Sequence, residues 1–336
     1  MKVYELQPAL GLDSLTIVDH PTPSPGSGEV LVRVRATSLN YRDLVVAKGA
    51  YAKGGPAMLS PLSDGAGEVV AVGSGVSSFA VGDRVAGIFM QGWHSGPVKE
   101  LYGASALGGA ISGVLTEYRV FSAEGLVHIP DYLSFEEAAT LPCAAVTVWN
   151  ALFDSGDIKP GDTVLLQGTG GVSLFGLQFA KAAGLRTILT SSSDEKLARG
   201  RSLGADETIS YRENPEWARE VKKVTNGEGV DHIVEVGGAG TLPQSLHAVR
   251  TGGTVSLIGV LAGVSAEIPT ALILSKSVRI NGIYVGSRAM FEDLNRFLAI
   301  QEIRPVIDQV FAFEDARKAY DHLQSGKHFG KVVISV

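Results

Sequence analysis

From Glu29 the chain alternates in character. Val30, Val32, Val34 and Ala36 are apolar, with Leu31, Arg33, Arg35 and Thr37 between them. One face of that run is apolar and the other largely charged, as in a half-buried strand. Strand-like runs recur at Gly67–Val72 and Arg84–Ile88, punctuated by Gly73-Ser74-Gly75 and Gly82-Asp83. Short strands at this spacing predict a small antiparallel barrel. Beyond about Gly125 the pattern changes. Thr163–Gln167 reads as a buried parallel strand, Leu174–Ala183 as a helix, Thr187–Thr190 as a second strand, and Glu195–Leu203 as a helix that Gly204 stops. Val230–Val236 and Gly253–Gly259 are further strands. Strands separated by helices predict βαβ units and a doubly wound parallel sheet, an α/β class. Towards the C-terminal end, Phe291–Leu298 and Phe313–Leu323 read as helices and Lys331–Val336 as strand.

A length of 336 residues suggests two domains, and 45% hydrophobic with 19% charged residues supplies material for two cores. A net charge of −6 without any long basic run argues against a nucleic-acid partner. Met1-Lys2-Val3-Tyr4-Glu5 has no signal-peptide pattern, and the apolar stretch Thr254–Ala266 is too short to span a bilayer, so a cytoplasmic protein without membrane contact is the expectation. Cys143 is the only cysteine, which excludes an intrachain disulfide and a multi-cysteine zinc lobe.

The chemistry begins at Gly168-Thr169-Gly170-Gly171-Val172-Ser173, which follows one predicted strand and opens the next helix. Gly168 permits the tight turn, and Gly170 lets a pyrophosphate approach the helix N-terminus, where free N–H groups and the helix dipole favour anions. Ser173 stands where a third glycine is usual and is small enough to keep helix and strand close. A site for NAD places an acid at the end of the second strand. Here that position reads Thr190-Ser191-Ser192-Ser193, with Lys196, Arg199 and Arg201 just beyond and Tyr211 and Arg212 at the next strand end. Hydroxyls and a lysine suit a 2′-phosphate, hence NADP(H). Asp194 and Glu195 point the other way, since either can approach a ribose.

Together these residues resemble the medium-chain dehydrogenase/reductase superfamily, in its zinc-independent, quinone oxidoreductase-like branch. The resemblance rests on Gly65-Ala66-Gly67-Glu68-Val69-Val70, Val81-Gly82-Asp83-Arg84-Val85, the Gly168–Ser173 loop, Leu203-Gly204-Ala205-Asp206 and Gly330-Lys331-Val332-Val333. It implies a GroES-like β-barrel catalytic domain over 1–124 and 286–336, flanking a Rossmann dinucleotide-binding domain over 125–285. It also implies a homodimer joined through an edge strand near Val278–Val285. Zinc-dependent members carry a Cys at the position of Asn40 and a His-Glu pair at Ser63-Asp64, whereas Cys143 matches their third ligand position. With two ligands replaced, a catalytic zinc, which needs three protein ligands, is not expected. His94 and Trp93 lie where the structural zinc lobe would be.

By the same resemblance, Thr147 sits near the nicotinamide, and Gly170, Gly171 and Val172 hold the pyrophosphate. Ser191, Lys196 and Tyr211 surround the adenosine phosphate, and Val236 and Gly237 flank the adenine. Ile258, Gly259, Val260, Val285 and Ser287 line the nicotinamide, and Lys331 reaches a phosphate. Leu39-Asn40-Tyr41-Arg42-Asp43 replaces the metal-ligand loop and is similar to the corresponding loop of enoyl-thioester reductases. Asn40 can donate to an acceptor carbonyl, Tyr41 can donate a proton or shape the pocket, and Asp43 can orient a neighbour or pair with Arg42. Tyr51 and Trp93 are weaker lining candidates. The expected activity is NADPH-dependent hydride transfer to a small electrophile, either a quinone or an enal- or enone-type activated double bond. Alternatives are a zinc-free alcohol dehydrogenase, an enoyl-thioester reductase, or an NADPH-binding structural or regulatory protein with little turnover.

Overall fold

A computed structural model describes residues 1–50 and 56–336; Tyr51 lies outside the described residues. The chain forms two compact units, Met1–Val146 with Gly286–Val336, and Thr147–Val285. The first boundary falls later than the expected 125. Leu126–His128 pairs antiparallel with Arg84–Gly87, which ties that stretch into the first unit's sheet.

In the first unit the sheet runs Ile307–Ala312, Lys331–Ser335, Glu29–Leu39, Asp64–Val72, Arg84–Gly87, Leu126–His128. Glu29–Leu39 organises it. Its first half pairs with Tyr118–Ser122 and its second half with Lys331–Ser335, while Asp64–Val72 runs along its other side. The pairs are antiparallel except Ile307–Ala312 with Lys331–Ser335, which is parallel. Val30, Val32, Leu39, Val69, Phe121 and Val332 meet in one buried core. This is the GroES-like fold, with one parallel pair where the sequence reading expected antiparallel strands throughout.

The second unit holds six parallel strands in the order Glu207–Ser210, Arg186–Ser191, Thr163–Gln167, Val230–Glu235, Val249–Leu257, Arg279–Gly282. Helices cover the connections, as parallel pairing requires. Strand order reverses between Thr163–Gln167 and Val230–Glu235. Such a switch point opens a crevice at the carboxyl ends of the strands, where ligands of doubly wound sheets bind. No helix among the described residues is long and apolar enough to cross a membrane.

Candidate functional site

The glycine turn sits at that switch point. Gly168 has φ 73°, a left-handed conformation that glycine adopts without steric penalty. A Cβ on Gly168 or Gly170 would meet nothing within 4 Å, so the space above the turn is open. Gly170 precedes the helix Gly171–Ala182 in extended conformation and offers no capping side chain, leaving first-turn N–H groups for a ligand. Ser173 is buried, and its hydroxyl donates to Gln167 O at 2.5 Å, closing the turn on the strand behind it. The close helix–strand approach comes from Gly176, where a Cβ would lie 2.6 Å from the Leu166 side chain. Sequence reading passed over Gly176, although it falls one turn beyond Ser173.

On one flank, Ser191 pairs with Ser210, and the Tyr211 N–H donates to Ser191 O at 3.1 Å. The Ser191 hydroxyl accepts from the Ser193 N–H, and Ser193 in turn caps the helix Asp194–Ser202 by accepting from the Lys196 N–H. Ser191, Lys196 and Tyr211 are thereby brought to one strand-and-helix corner, with the Tyr211 ring 42% exposed. Asp194 and Glu195 are exposed in that helix's first turn.

On the other flank, Val236–Gly237 and Ile258–Val260 are locked together. Leu261 N–H donates to Val236 O and Ala262 N–H to Gly237 O. Beneath them Glu235 is fully buried. It accepts from the N–H groups of Gly237 and Gly238, from Thr241 Oγ1 and Ser245 Oγ, and from Gln167 Nε2. A carboxylate with this many donors is a fixed post for both loops. Val285 follows the edge strand with φ 57°, a strained value for a β-branched residue. Its carbonyl accepts from Asn150 Nδ2 at 2.7 Å. Thr147 is buried at the start of this unit.

Two expected cofactor residues are otherwise engaged, both in the first unit. Ser287 is buried, and its hydroxyl caps the helix Arg288–Gln301 by accepting from the Met290 N–H at 3.3 Å. Lys331 is 3% exposed, so it does not present its ammonium to a phosphate from solvent. That ammonium donates to Leu39 O at 2.7 Å and to Asn40 Oδ1 at 2.5 Å, and lies 3.9 Å from the Asp64 carboxylate.

Around it stands the loop after Leu39. Asn40 caps the helix Tyr41–Ala47, and its N–H donates to Asp43 Oδ2 at 2.7 Å. Arg42 Nη1 pairs with Asp43 Oδ1 at 3.1 Å and also donates to Leu107 O. Burial pushes the Asp43 carboxyl up to about 6, against the pull of Arg42 and the Asn40 N–H. Asp64 is fully buried and accepts from Ser63 Oγ at 2.7 Å and from the Cys143 N–H at 3.1 Å. Its carboxyl is raised by burial, and Lys331 is the largest opposing influence. Burial, then the Asp64 charge, pushes the Cys143 thiol far up.

The three candidate catalytic side chains therefore separate. Asp43 faces inward as a helix cap and ion-pair partner. Asn40 gives its oxygen to Lys331, and its Nδ2 is enclosed rather than open to solvent. Tyr41, 49% exposed, carries the hydroxyl that is open to a ligand. Trp93 is buried, stacks on Tyr102 and donates to Gly96 O, whereas His94 is exposed against Gln91 O.

These residues do not fit a catalytic zinc. Lys331 holds the Asn40 oxygen, Ser63 donates into Asp64, and neither Asn40 nor Ser63 is a thiolate, imidazole or carboxylate of the kind a catalytic zinc takes as ligands. Among the described residues no group of three or more His, Cys, Asp or Glu is placed to hold a metal. The open glycine turn, in contrast, fits a dinucleotide pyrophosphate.

Residues 26–131 match the alcohol dehydrogenase GroES-like domain, and residues 171–300 match the zinc-binding dehydrogenase family. A zinc-type alcohol dehydrogenase-like protein of Schizosaccharomyces pombe is 45% identical, covering 97% of this chain and 96% of its own. This chain belongs to the medium-chain dehydrogenase/reductase superfamily. Within the superfamily, a quinone oxidoreductase of Pseudomonas aeruginosa is 33% identical over 96% of each chain. A solved structure described as an alcohol dehydrogenase of Sinorhizobium meliloti superposes with a TM-score of 0.93 at 43% identity, covering 100% of this chain and 98% of that one. As a medium-chain dehydrogenase/reductase, the protein is an NAD(P)-dependent oxidoreductase with a GroES-like unit and a Rossmann-type unit.

Proposed function

We propose that this protein is a zinc-independent, NADPH-dependent reductase that delivers hydride to a quinone or to a double bond conjugated with a carbonyl. The observation that carries this reading is the Lys331 ammonium beside Asp64 and Asn40. A protein cation balances the buried carboxylate at the position where zinc-dependent relatives are expected to hold their metal. The likeness to the Pseudomonas quinone oxidoreductase supports the acceptor class.

The bound cofactor supplies the hydride; the chain binds and orients. The first turn of Gly171–Ala182 holds the pyrophosphate on its free N–H groups. Ser191, Lys196 and Tyr211 take the adenosine 2′-phosphate, favouring NADPH over NADH. At the acceptor, charge develops on an oxygen, and without a Lewis acid it needs a hydrogen-bond donor. Tyr41 is the exposed donor on the loop that replaces the metal ligands. The similarity of Leu39–Asp43 to the loop of enoyl-thioester reductases favours a second reading, reduction of an unsaturated thioester. We further propose a homodimer formed through the edge strand Arg279–Gly282.

The test is NADPH oxidation against a panel of quinones, enones and short unsaturated thioesters, with and without a chelator. Turnover of quinones or enones that persists in chelator is expected. Turnover of thioesters alone selects the second reading. Cofactor binding without turnover of any acceptor makes the protein a dinucleotide-binding module instead.

A further inference from the structure

The turn after the edge strand of the second unit stores strain, and one side chain holds it. Val285 sits at φ 57°, where a β-branched residue is rare. Strain of this kind persists only when its surroundings over-determine it, and it concentrates at ligand clamps. Here the restraint is visible. Asn150 Nδ2 donates to Val285 O at 2.7 Å, with Asn150 5% exposed. The Asn150 amide cannot turn over, because its Oδ1 accepts from Ser155 Oγ at 2.7 Å. Ser155 is itself fixed, since its N–H donates to Asn150 O and its carbonyl accepts from Asn281 Nδ2 on the edge strand. Asn150 opens a π-helical turn, Asn150–Asp154, an irregularity that often marks a functional position.

Position on the sheet says which ligand group this turn serves. The glycine turn follows Thr163–Gln167 in mid-sheet. Ser191 and Tyr211 lie at the carboxyl ends of the strands on one side of it. A dinucleotide held at its pyrophosphate and by its adenosine on that side must extend its other half over the opposite strands. Those are Val230–Glu235, Val249–Leu257 and, at the edge, Arg279–Gly282, and Val285 lies three residues past the last of them.

We infer that Asn150 is a positioning residue of the cofactor site: by clamping the Val285 carbonyl it shapes the turn that receives the nicotinamide half. The inference rests on the dinucleotide reading above and adds a residue that does not itself touch the ligand.

The two halves of the cofactor separate this role from general support of the fold. Asn150→Ala, and Asn150→Asp, which keeps the size but loses the donor, should each weaken NADPH binding about tenfold. Binding of 2′,5′-ADP, which lacks the nicotinamide half, should stay at the wild-type value. Val285→Gly relaxes the turn, so adding Asn150→Ala to it should cost far less than Asn150→Ala alone. Unchanged NADPH binding in both Asn150 variants overturns the inference, and so does equal loss of NADPH and 2′,5′-ADP. A wild-type protein that binds neither NADPH nor NADH refutes the functional reading instead, and the two failures are thus told apart.

Discussion

Lys196 lies in the first turn of the helix that Ser193 caps, and Tyr211 is hydrogen-bonded to Ser191 through the backbone. A charge-assisted bond from lysine to phosphate contributes roughly 1.5–3 kcal/mol. Lys196→Ala should therefore weaken NADPH binding about tenfold to a hundredfold and leave NADH nearly unchanged, which fluorescence titration reads directly. Equal wild-type affinity for the two cofactors refutes the preference. At the other centre, Tyr41→Phe removes only a hydroxyl. If that hydroxyl donates to the acceptor, its loss should cut turnover about a hundredfold at saturating NADPH with no change in cofactor affinity. Asn40→Ala should act differently, because Asn40 serves Lys331 rather than solvent: a loss of thermal stability accompanies any loss of rate. Near wild-type turnover in both variants sinks the assignment. Sequence named these residues but not their directions. Asn40 and Lys331 are 291 positions apart, and only the pairing of Leu39 with Val332 makes them neighbours. Ser287 was legible as a small polar residue near a strand end. Its use as a helix cap was not, because the apolar pattern places the helix only from Phe291, whereas it begins at Arg288.

The strands of the second unit were easier to read, because burial on both faces demands continuous apolar runs. Thr163–Gln167 is one such run, and its expected bounds match the observed ones. The stretch Phe135–Asp154 escaped notice: it is broken into α- and π-helical pieces, so no single period runs through it. Close contacts between loops were likewise invisible. A Cβ on Gly259 would lie 2.4 Å from Val236 O, a backbone atom that cannot swing aside. Gly259→Ala should push the two loops apart, lowering the denaturation midpoint and weakening cofactor binding together; retention of both contradicts this packing. Within the same sheet, burial holds the His232 imidazole down to about 4 from 6.5, beside Ser256 Oγ at 3.0 Å. The folded protein keeps this ring neutral while the unfolded chain takes up a proton, so the unfolded state binds more protons between those values. Stability should fall as pH drops from about 6.5 towards 4. His232→Gln should flatten that part of the profile in urea titrations; an unchanged slope shows that other groups cause it.

The second unit ends in a strand, Arg279–Gly282, with one neighbour in its sheet, and Leu274 and Val264 stand exposed nearby in the sequence. An unpaired edge is a liability that pairing with a second copy removes. Sedimentation at micromolar concentration should show a dimer, and a monomer there counts against it. Elemental analysis of the purified protein should find no stoichiometric zinc; one tightly held zinc per chain, with activity lost on its removal, would overturn the proposal. The order in which the chain is made adds a different consequence. All six strands of the second unit lie within residues 163–282, so its sheet can close as soon as that stretch leaves the ribosome. The first unit begins to emerge earlier but must wait, because Lys331–Ser335 sits inside its sheet between Ile307–Ala312 and Glu29–Leu39. The part synthesised first is therefore completed last, and Glu29–Leu39 has an open flank for most of translation. Nascent chains stalled once residues up to about 290 have left the ribosome should resist protease in the second unit while the first is still cut, which makes the early strands the segment most in need of a chaperone.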